Sequence, residues 1–162
     1  MAQAMKRIRI LLVDDHKTLL WGLSKLIESD AGHMVVAGTA RDCDGALELA
    51  SELQPDVILL DIDLAGCSSI DIIPALTQKS SGSRILILSG TRDRDMLDTA
   101  VMRGARGVVS KDEPAEAVLK AIEKVHEGEL WLDGVARAAF SMPCAIRSPR
   151  DARTLTWTRL PN

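Results

Sequence analysis

Five short apolar runs, each followed by a segment of helical spacing, constrain this 162-residue chain more than any other feature. The runs cover residues 8–13, 34–38, 57–60, 85–88 and 107–109, are rich in Ile, Val and Leu, and are bounded by polar residues. Runs of this length and content predict strands, most of them buried on both faces. Between them apolar residues recur three and four apart. Leu19, Leu23, Leu26 and Ile27 form one such set, Ala46, Leu49, Ala50 and Leu53 a second, and Val118, Ala121, Ile122 and Val125 a third. Leu97, Ala100, Val101 and Gly104 repeat the pattern less strongly. Each set predicts a helix with one apolar face. Alternating strands and helices imply right-handed crossovers and a parallel sheet covered on both faces. The predicted fold class is therefore α/β: a doubly wound, five-stranded parallel sheet of order 2-1-3-4-5 with helices on both faces. In such sheets the site lies outside the carboxyl ends of the strands, where the strand order reverses. Pro74 falls in the third helix, which is expected to start late or to bend there.

The alternation stops after Gly128, so residues 6–128 are expected to form the domain and residues 129–162 a linker or tail of low order. Trp131 and Leu132 are expected to pack on the domain all the same. The arginines Arg147, Arg150, Arg153 and Arg159 read as solvated linker. With three Trp, one Phe and no Tyr, the core must be aliphatic. A net charge of −3 gives no argument for nucleic acid or an anionic membrane as partner of the whole chain. Cys43, Cys67 and Cys144 are odd in number and form no CxxC, so a disulfide framework or a zinc site is not expected, and a reduced intracellular compartment is. The first apolar run ends at two aspartates, which suits neither a signal peptide nor a membrane span, and a cytoplasmic protein is expected.

Chemistry is then sought at the strand ends. The first strand ends at Asp14-Asp15, the third at Asp61 with Asp63 close behind, and the fourth at Ser89; Ser110-Lys111 follows the fifth. Carboxylates placed this close repel one another unless a cation neutralises them. Hard oxygen ligands favour Mg2+, which often takes a phosphate oxygen as well. A carboxylate beside such an ion can act as nucleophile on phosphorus, giving an acyl phosphate. Phosphoryl transfer needs in-line positioning and neutralised equatorial oxygens, which Mg2+, Lys111 and the Ser89 hydroxyl can supply.

The phrases Val13-Asp14-Asp15-His16, Leu60-Asp61, Leu88-Ser89-Gly90 and Gly104-Ala105-Arg106-Gly107-Val108-Val109-Ser110-Lys111 resemble a response-regulator receiver domain of bacterial two-component systems. The resemblance covers roughly residues 6–128. Together with Gly128-Glu129-Leu130-Trp131-Leu132-Asp133, it is similar above all to receivers that precede LuxR-type helix-turn-helix domains. It implies the flavodoxin-like receiver fold, with Asp61 as phosphoacceptor, Asp15 as a direct Mg2+ ligand and Asp14 holding the ion through water. The backbone carbonyl of Asp63 would complete the ligands, Lys111 would contact the phosphoryl group, and Ser89 would move toward it. A histidine kinase is the implied phosphodonor, and homodimerisation through helix 4, strand 5 and helix 5 (residues 92–127) the implied readout. Two departures weaken the expected relay. Val108 stands where the family usually has Tyr or Phe, and the loop 63–69 lacks the usual Met-Pro-Gly and later Gly.

Simpler readings stand beside these. Asp14-Asp15 could be a helix cap. His16 is expected to begin the first helix with its ring near solvent, Cys67 to be inert, and Trp21 to be partly exposed. Residues 57–63 also resemble the Asp-x-Asp motif of haloacid-dehalogenase-like phosphatases. There, however, the motif opens the fold and an acidic pair follows downstream, whereas here the pair lies upstream. A stand-alone receiver or phosphorelay intermediate is the remaining alternative. A helix-turn-helix output needs several helices after the linker, so DNA binding is expected only through an output domain absent from these residues.

Overall fold

The computed structural model describes residues 6–29, 32–91 and 93–132. Five parallel strands are β1 (Ile8–Val13), β2 (Met34–Ala40), β3 (Val57–Asp61), β4 (Arg84–Ser89) and β5 (Gly107–Ser110). The helices between and after them are α1 (Lys17–Ser29), α2 (Cys43–Leu53), α3 (Ser69–Lys79), α4 (Arg94–Met102) and α5 (Ala115–His126). The sheet order is β2-β1-β3-β4-β5, as the alternation predicts. Val13 pairs with Leu60, Asp61 with Leu88 and Ser89 with Ser110, so the strand ends carrying the candidate residues lie side by side.

Successive strand residues face opposite sides of the sheet, and two aliphatic layers result. Leu11, Val13, Ile58 and Leu60 pack with α2, α3 and α4 residues such as Ala46, Ile73 and Leu97. Ile10, Leu12, Val57 and Leu59 pack with Leu23 and Ile27 of α1 and with Val118, Ala121, Ile122 and Val125 of α5. The α5 set is buried as the spacing predicts. In α1 the phase shifts by one residue: Leu20 is buried, while Leu19 and Leu26 pack only partly. Spacing alone does not tell the centre of an apolar stripe from its flank.

Four features differ from the sequence expectations. Strand β2 runs two residues past 38, to Ala40, with a register shift opposite Ile10 and Leu11. Helix α3 starts at once after its Ser68 cap and continues through Pro74, which lies on the exposed face. Gly104 is not part of α4's apolar face: it adopts φ 127 just past the helix. Its N–H reaches the Val101 carbonyl and that of Ala105 the Ala100 carbonyl, the paired closure that glycine permits at a helix end. Finally, Cys43 and Cys67 form a disulfide across a Cα–Cα distance of 6.3 Å. The expectation of unpaired cysteines is overturned. The count and spacing describe sequence neighbours, whereas the fold brings the first residue of α2 to the loop before α3. The cysteines thus cease to argue for a reduced compartment, and Cys67 is a disulfide partner rather than a lone thiol. Cys144 lies outside the described residues.

The chain continues packing past Gly128, as expected for Trp131 and Leu132. Trp131 donates its N–H to the Arg106 carbonyl and accepts from the Val108 N–H at 2.7 Å, adding a short parallel bridge beside β5 at Gly107. A Cβ at Gly107 would lie 2.5 Å from the Trp131 carbonyl oxygen, so this approach requires glycine. Leu132 is buried. The rest of the 129–162 tail, with its arginines, lies outside the described residues. Among the described residues no helix is long and apolar enough to cross a membrane.

Candidate functional site

The site is built by four neighbouring strand ends. Asp14 and Asp15 follow β1, Asp61 closes β3, Ser89 closes β4, and Lys111 follows β5. Asp61 is fully buried and Asp14 nearly so, at 2% exposure. Asp61 Oδ1 accepts from the Asp63 N–H at 3.1 Å and lies 3.1 Å from Lys111 Nζ. The same ammonium is 3.7 Å from Asp14 Oδ2. One cation therefore stands between two buried carboxylates. Burial pushes the Asp61 carboxyl above the usual carboxylate range, and the nearby Asp14 charge adds to this. The Asp63 N–H and Lys111 oppose the shift.

At this site three buried carboxylate oxygens have no hydrogen-bond partner, Asp14 Oδ2, Asp15 Oδ1 and Asp61 Oδ2, though His16 Nδ1 lies 3.0 Å from the second and Lys111 Nζ 3.7 Å from the first. Asp14, Asp15, His16 and Asp61 each offer a ligand atom within 4.8 Å of the others. Orphaned buried oxygens are costly, and a hard divalent cation is the partner such a set best satisfies. The donor set therefore fits Mg2+.

The loop after β3 joins the site through its backbone. Besides the Asp63 N–H, the Ala65 N–H donates to Asp15 Oδ2 at 3.1 Å. Asp63 keeps its side chain in solvent. Ser69 Oγ donates to the Asp61 carbonyl at 2.6 Å, securing the strand end to α3. Ser89 lies at the predicted strand end and is buried, but its hydroxyl is engaged elsewhere. It accepts from the Thr91 N–H at 3.0 Å and donates to the Thr91 carbonyl at 3.2 Å. Val108 is wholly buried in the layer beneath α3 and α4.

Sequence reasoning missed His16. Its side chain is largely exposed, as expected, yet Nδ1 is 2.9 Å from Asp14 Oδ1 and 3.0 Å from Asp15 Oδ1. The hydrogen bond that the imidazole donates to Asp14, with Asp15 adding its charge, raises the imidazole pKa above its ordinary value. The available signal was local: Asp14 Oδ1 accepts the His16 N–H two residues on, the turn that aspartate favours. Trp21 is exposed on α1, with Lys25 Nζ 5.9 Å from its ring centroid.

A five-stranded sheet of this order, with an acidic cluster and a lysine at its carboxyl edge, is the frame of a receiver. The response regulator receiver domain family matches residues 10–123, and the chain belongs to that family. It is 38% identical over 123 residues to the nitrate/nitrite response regulator protein NarL of Escherichia coli K12, covering 76% of this chain and 56% of that protein. It is 35% identical over 122 residues to the transcriptional regulatory protein MctR of Rhizobium johnstonii, covering 75% and 56%. The chain thus spans about half the length of the curated relatives it matches. Among solved structures, a LuxR-family two-component response regulator from Aurantimonas superposes with TM-score 0.76 and 29% identity, over 82% of this chain and 94% of that one. The receiver domain of the Mycobacterium tuberculosis regulator NarL superposes at 0.72 with 28% identity, over 76% and 99%. The chain is a receiver domain of the NarL/LuxR type, which makes it a signalling module and sets the phosphatase reading aside.

Proposed function

We propose that Asp61 accepts a phosphoryl group and that the other strand-end residues serve this transfer. The observation that supports it most is the state of Asp61 itself: fully buried, one oxygen occupied by the Asp63 N–H and Lys111, the other without a partner. In the transfer, a carboxylate oxygen of Asp61 forms the new bond to phosphorus. The bond from phosphorus to the donor breaks, and the donor keeps its electron pair. The donor is the phosphorylated imidazole of a histidine kinase, or a small acyl phosphate. Lys111 is placed to neutralise a phosphoryl oxygen, and the buried walls exclude water from the acyl phosphate.

Asp15 and Asp61 directly, Asp14 through water, and the Asp63 carbonyl would hold Mg2+. When bound, the ion neutralises the gathered negative charge of carboxylates and phosphoryl oxygens. Ser89 must give up its Thr91 partners to reach a phosphoryl oxygen. That exchange links the site to the start of α4, and the α4-β5-α5 face is the natural readout surface, for homodimerisation in the first instance. With Val108 in place of an aromatic ring, the relay runs through the backbone at 89–91. An apolar cleft of about 520 Å³ between α1 and α5, lined by Leu23, Leu26, Leu88 and Val118, opens beside Lys111 and suits docking of the phosphodonor. Such a donor implies a cytoplasmic setting, and control of transcription, as in MctR by name, would pass through a further domain. A stand-alone receiver or phosphorelay intermediate shares the same site chemistry.

Incubation with acetyl phosphate or beryllofluoride plus Mg2+, followed by intact mass, tests the site. An adduct that vanishes in Asp61→Asn is expected. Absence of any adduct with every donor would sink the phosphoacceptor reading.

A further inference from the structure

The Cys43–Cys67 disulfide ends in the loop that serves the acidic cluster. Cys67 immediately precedes Ser68, the cap of α3, and lies two residues after Ala65, whose N–H holds Asp15. The segment from Ile62 to Cys67 is tied to the site by the Asp63 N–H and the Ala65 N–H, and to the core by buried Leu64. At Gly66 it turns through φ 81, a conformation that gives the chain little local preference to stay put. The other end of the disulfide is firm. Cys43 is buried at the first residue of α2, where the Asp42 side chain accepts the Gly45 N–H at 2.7 Å, and Ala46 and Ala50 are packed in the core. The bond thus ties the exposed stretch of this loop at Ala65 and Gly66, between the buried anchors Ile62 and Leu64 and the start of α3, to the first turn of α2. Among the described residues it is the one covalent cross-link.

We propose that Cys43 and Cys67 form a reversible thiol-modification site whose oxidation state sets how tightly the acidic cluster binds its cation. The inference rests on the receiver reading. Cys67 is partly exposed and Cys43 is buried, so exchange begins at the Cys67 sulfur. A small thiolate attacks Cys67 Sγ, the S–S bond breaks, and Cys43 leaves as a thiolate that takes up a proton. A second small thiolate then attacks its partner sulfur in the mixed disulfide, releasing Cys67 and a small-molecule disulfide. In sum, two small thiols are oxidised and the two protein sulfurs reduced. The reverse oxidation consumes one low-molecular-weight disulfide of the oxidised-glutathione class. Where small thiols keep cysteines reduced, protein disulfides are mostly transient, catalytic or redox-sensing. Clamping pre-organises the loop that presents the Ala65 N–H to Asp15 and Asp63 to Asp61, and pre-organisation raises affinity without new contacts.

The test uses the full chain equilibrated with oxidised glutathione or with excess dithiothreitol. Thiol titration after denaturation should find at most one thiol, that of Cys144, in the first case and all three cysteines in the second. Calorimetric titration with Mg2+ should give an affinity about three- to tenfold weaker for the reduced form. Cys67→Ser, at a partly exposed position, should match the reduced protein in both buffers, while Cys144→Ser should keep the full redox response. Equal Mg2+ affinity in the two forms, or three thiols after oxidised glutathione, overturns the proposal with the receiver reading intact. No Mg2+ binding in either form, with thiol counts as expected, overturns the proposed cation site of the receiver and the coupling that rests on it.

Discussion

The two ends of the sheet treat their polar groups in opposite ways. At the amino-terminal end such groups satisfy one another. The Arg9 N–H donates to Asp56 Oδ2 at 2.9 Å, and its guanidinium donates to the Leu53 carbonyl at 2.7 Å and the Gln54 carbonyl at 3.2 Å. Gln54, in left-handed backbone at φ 47, donates to the Ser51 and Lys79 carbonyls. Ser80 and Ser83 share a hydrogen bond of 2.5 Å, and Ser83 Oγ donates to the Pro55 carbonyl. His126 Nδ1 is the exception there, although the His126 backbone carbonyl accepts from Arg84 at 2.9 Å. At the carboxyl end three buried carboxylate oxygens go without a hydrogen-bond partner, and one ammonium serves two acids. One end spends its polar groups on stability; the other holds an unmet demand for positive charge. The lesson is that burial by itself does not mark a functional residue, and neither does a single unpartnered atom such as Asp98 Oδ1 or His126 Nδ1; three such oxygens gathered around one lysine do.

That contrast can be broken or sharpened by four measurements. The largest effect should come from the cation. Mg2+ at a hundred times its Kd stabilises a single site by about 2.7 kcal/mol, so a clear rise in Tm is expected, and it should vanish in Asp61→Asn. No rise would remove the reading of the carboxyl end as a cation site. Next, Ser83→Ala at the satisfied end takes the donor from the buried Pro55 carbonyl and the partner from the buried Ser80 hydroxyl, and should cost about 1–3 kcal/mol in chemical denaturation, with or without Mg2+. A neutral result would show that the amino-terminal network is dispensable. Asp14→Asn should do the reverse without Mg2+. Relieving like-charge repulsion at the buried pair should stabilise the protein by about 1 kcal/mol, and a loss of stability instead would mean that Lys111 already neutralises both acids.

The smallest effect concerns Asp98 on α4, where burial raises the carboxyl above its ordinary value of 3.8 and Arg94 opposes it. A raised folded-state pKa means that ionisation opposes folding. Stability from this group is full below the unfolded pKa and is lost as pH rises through the folded one. Asp98→Asn should therefore raise Tm slightly at neutral pH and leave it unchanged near about pH 3. Because the group is partly solvent-screened, a shift as large as that of Asp14→Asn would contradict the contrast, which reserves strong effects for the cluster.

Much of the site was legible in the chain. Asp14, Asp15, Asp61, Ser89 and Lys111 all fall at strand ends, and strand ends are marked by where an apolar run stops. A parallel sheet followed from the alternation and the handedness of crossovers, and the order β2-β1-β3-β4-β5 is the doubly wound order that five such strands suit. Other features were not legible. Which way the Ser89 hydroxyl turns depends on the backbone at Thr91. The place of the His16 ring depends on a turn that Asp14 makes with it. Trp131 joins β5 because Gly107 leaves room for its carbonyl, a contact across 24 residues that no local pattern encodes.

What the sequence by itself determined is whatever depends on neighbours within a turn or a strand: the alternation of elements, most of their apolar faces, the end of that alternation at Gly128, and the acids left where strands stop. Solvent exclusion acts locally and imprints its period on the chain. What only the tertiary structure decided is who meets whom across the sheet: Lys111 between Asp14 and Asp61, Ala65 on Asp15, and Cys43 on Cys67. Those distances are set by strand order and crossover packing, which the chain specifies only as a whole.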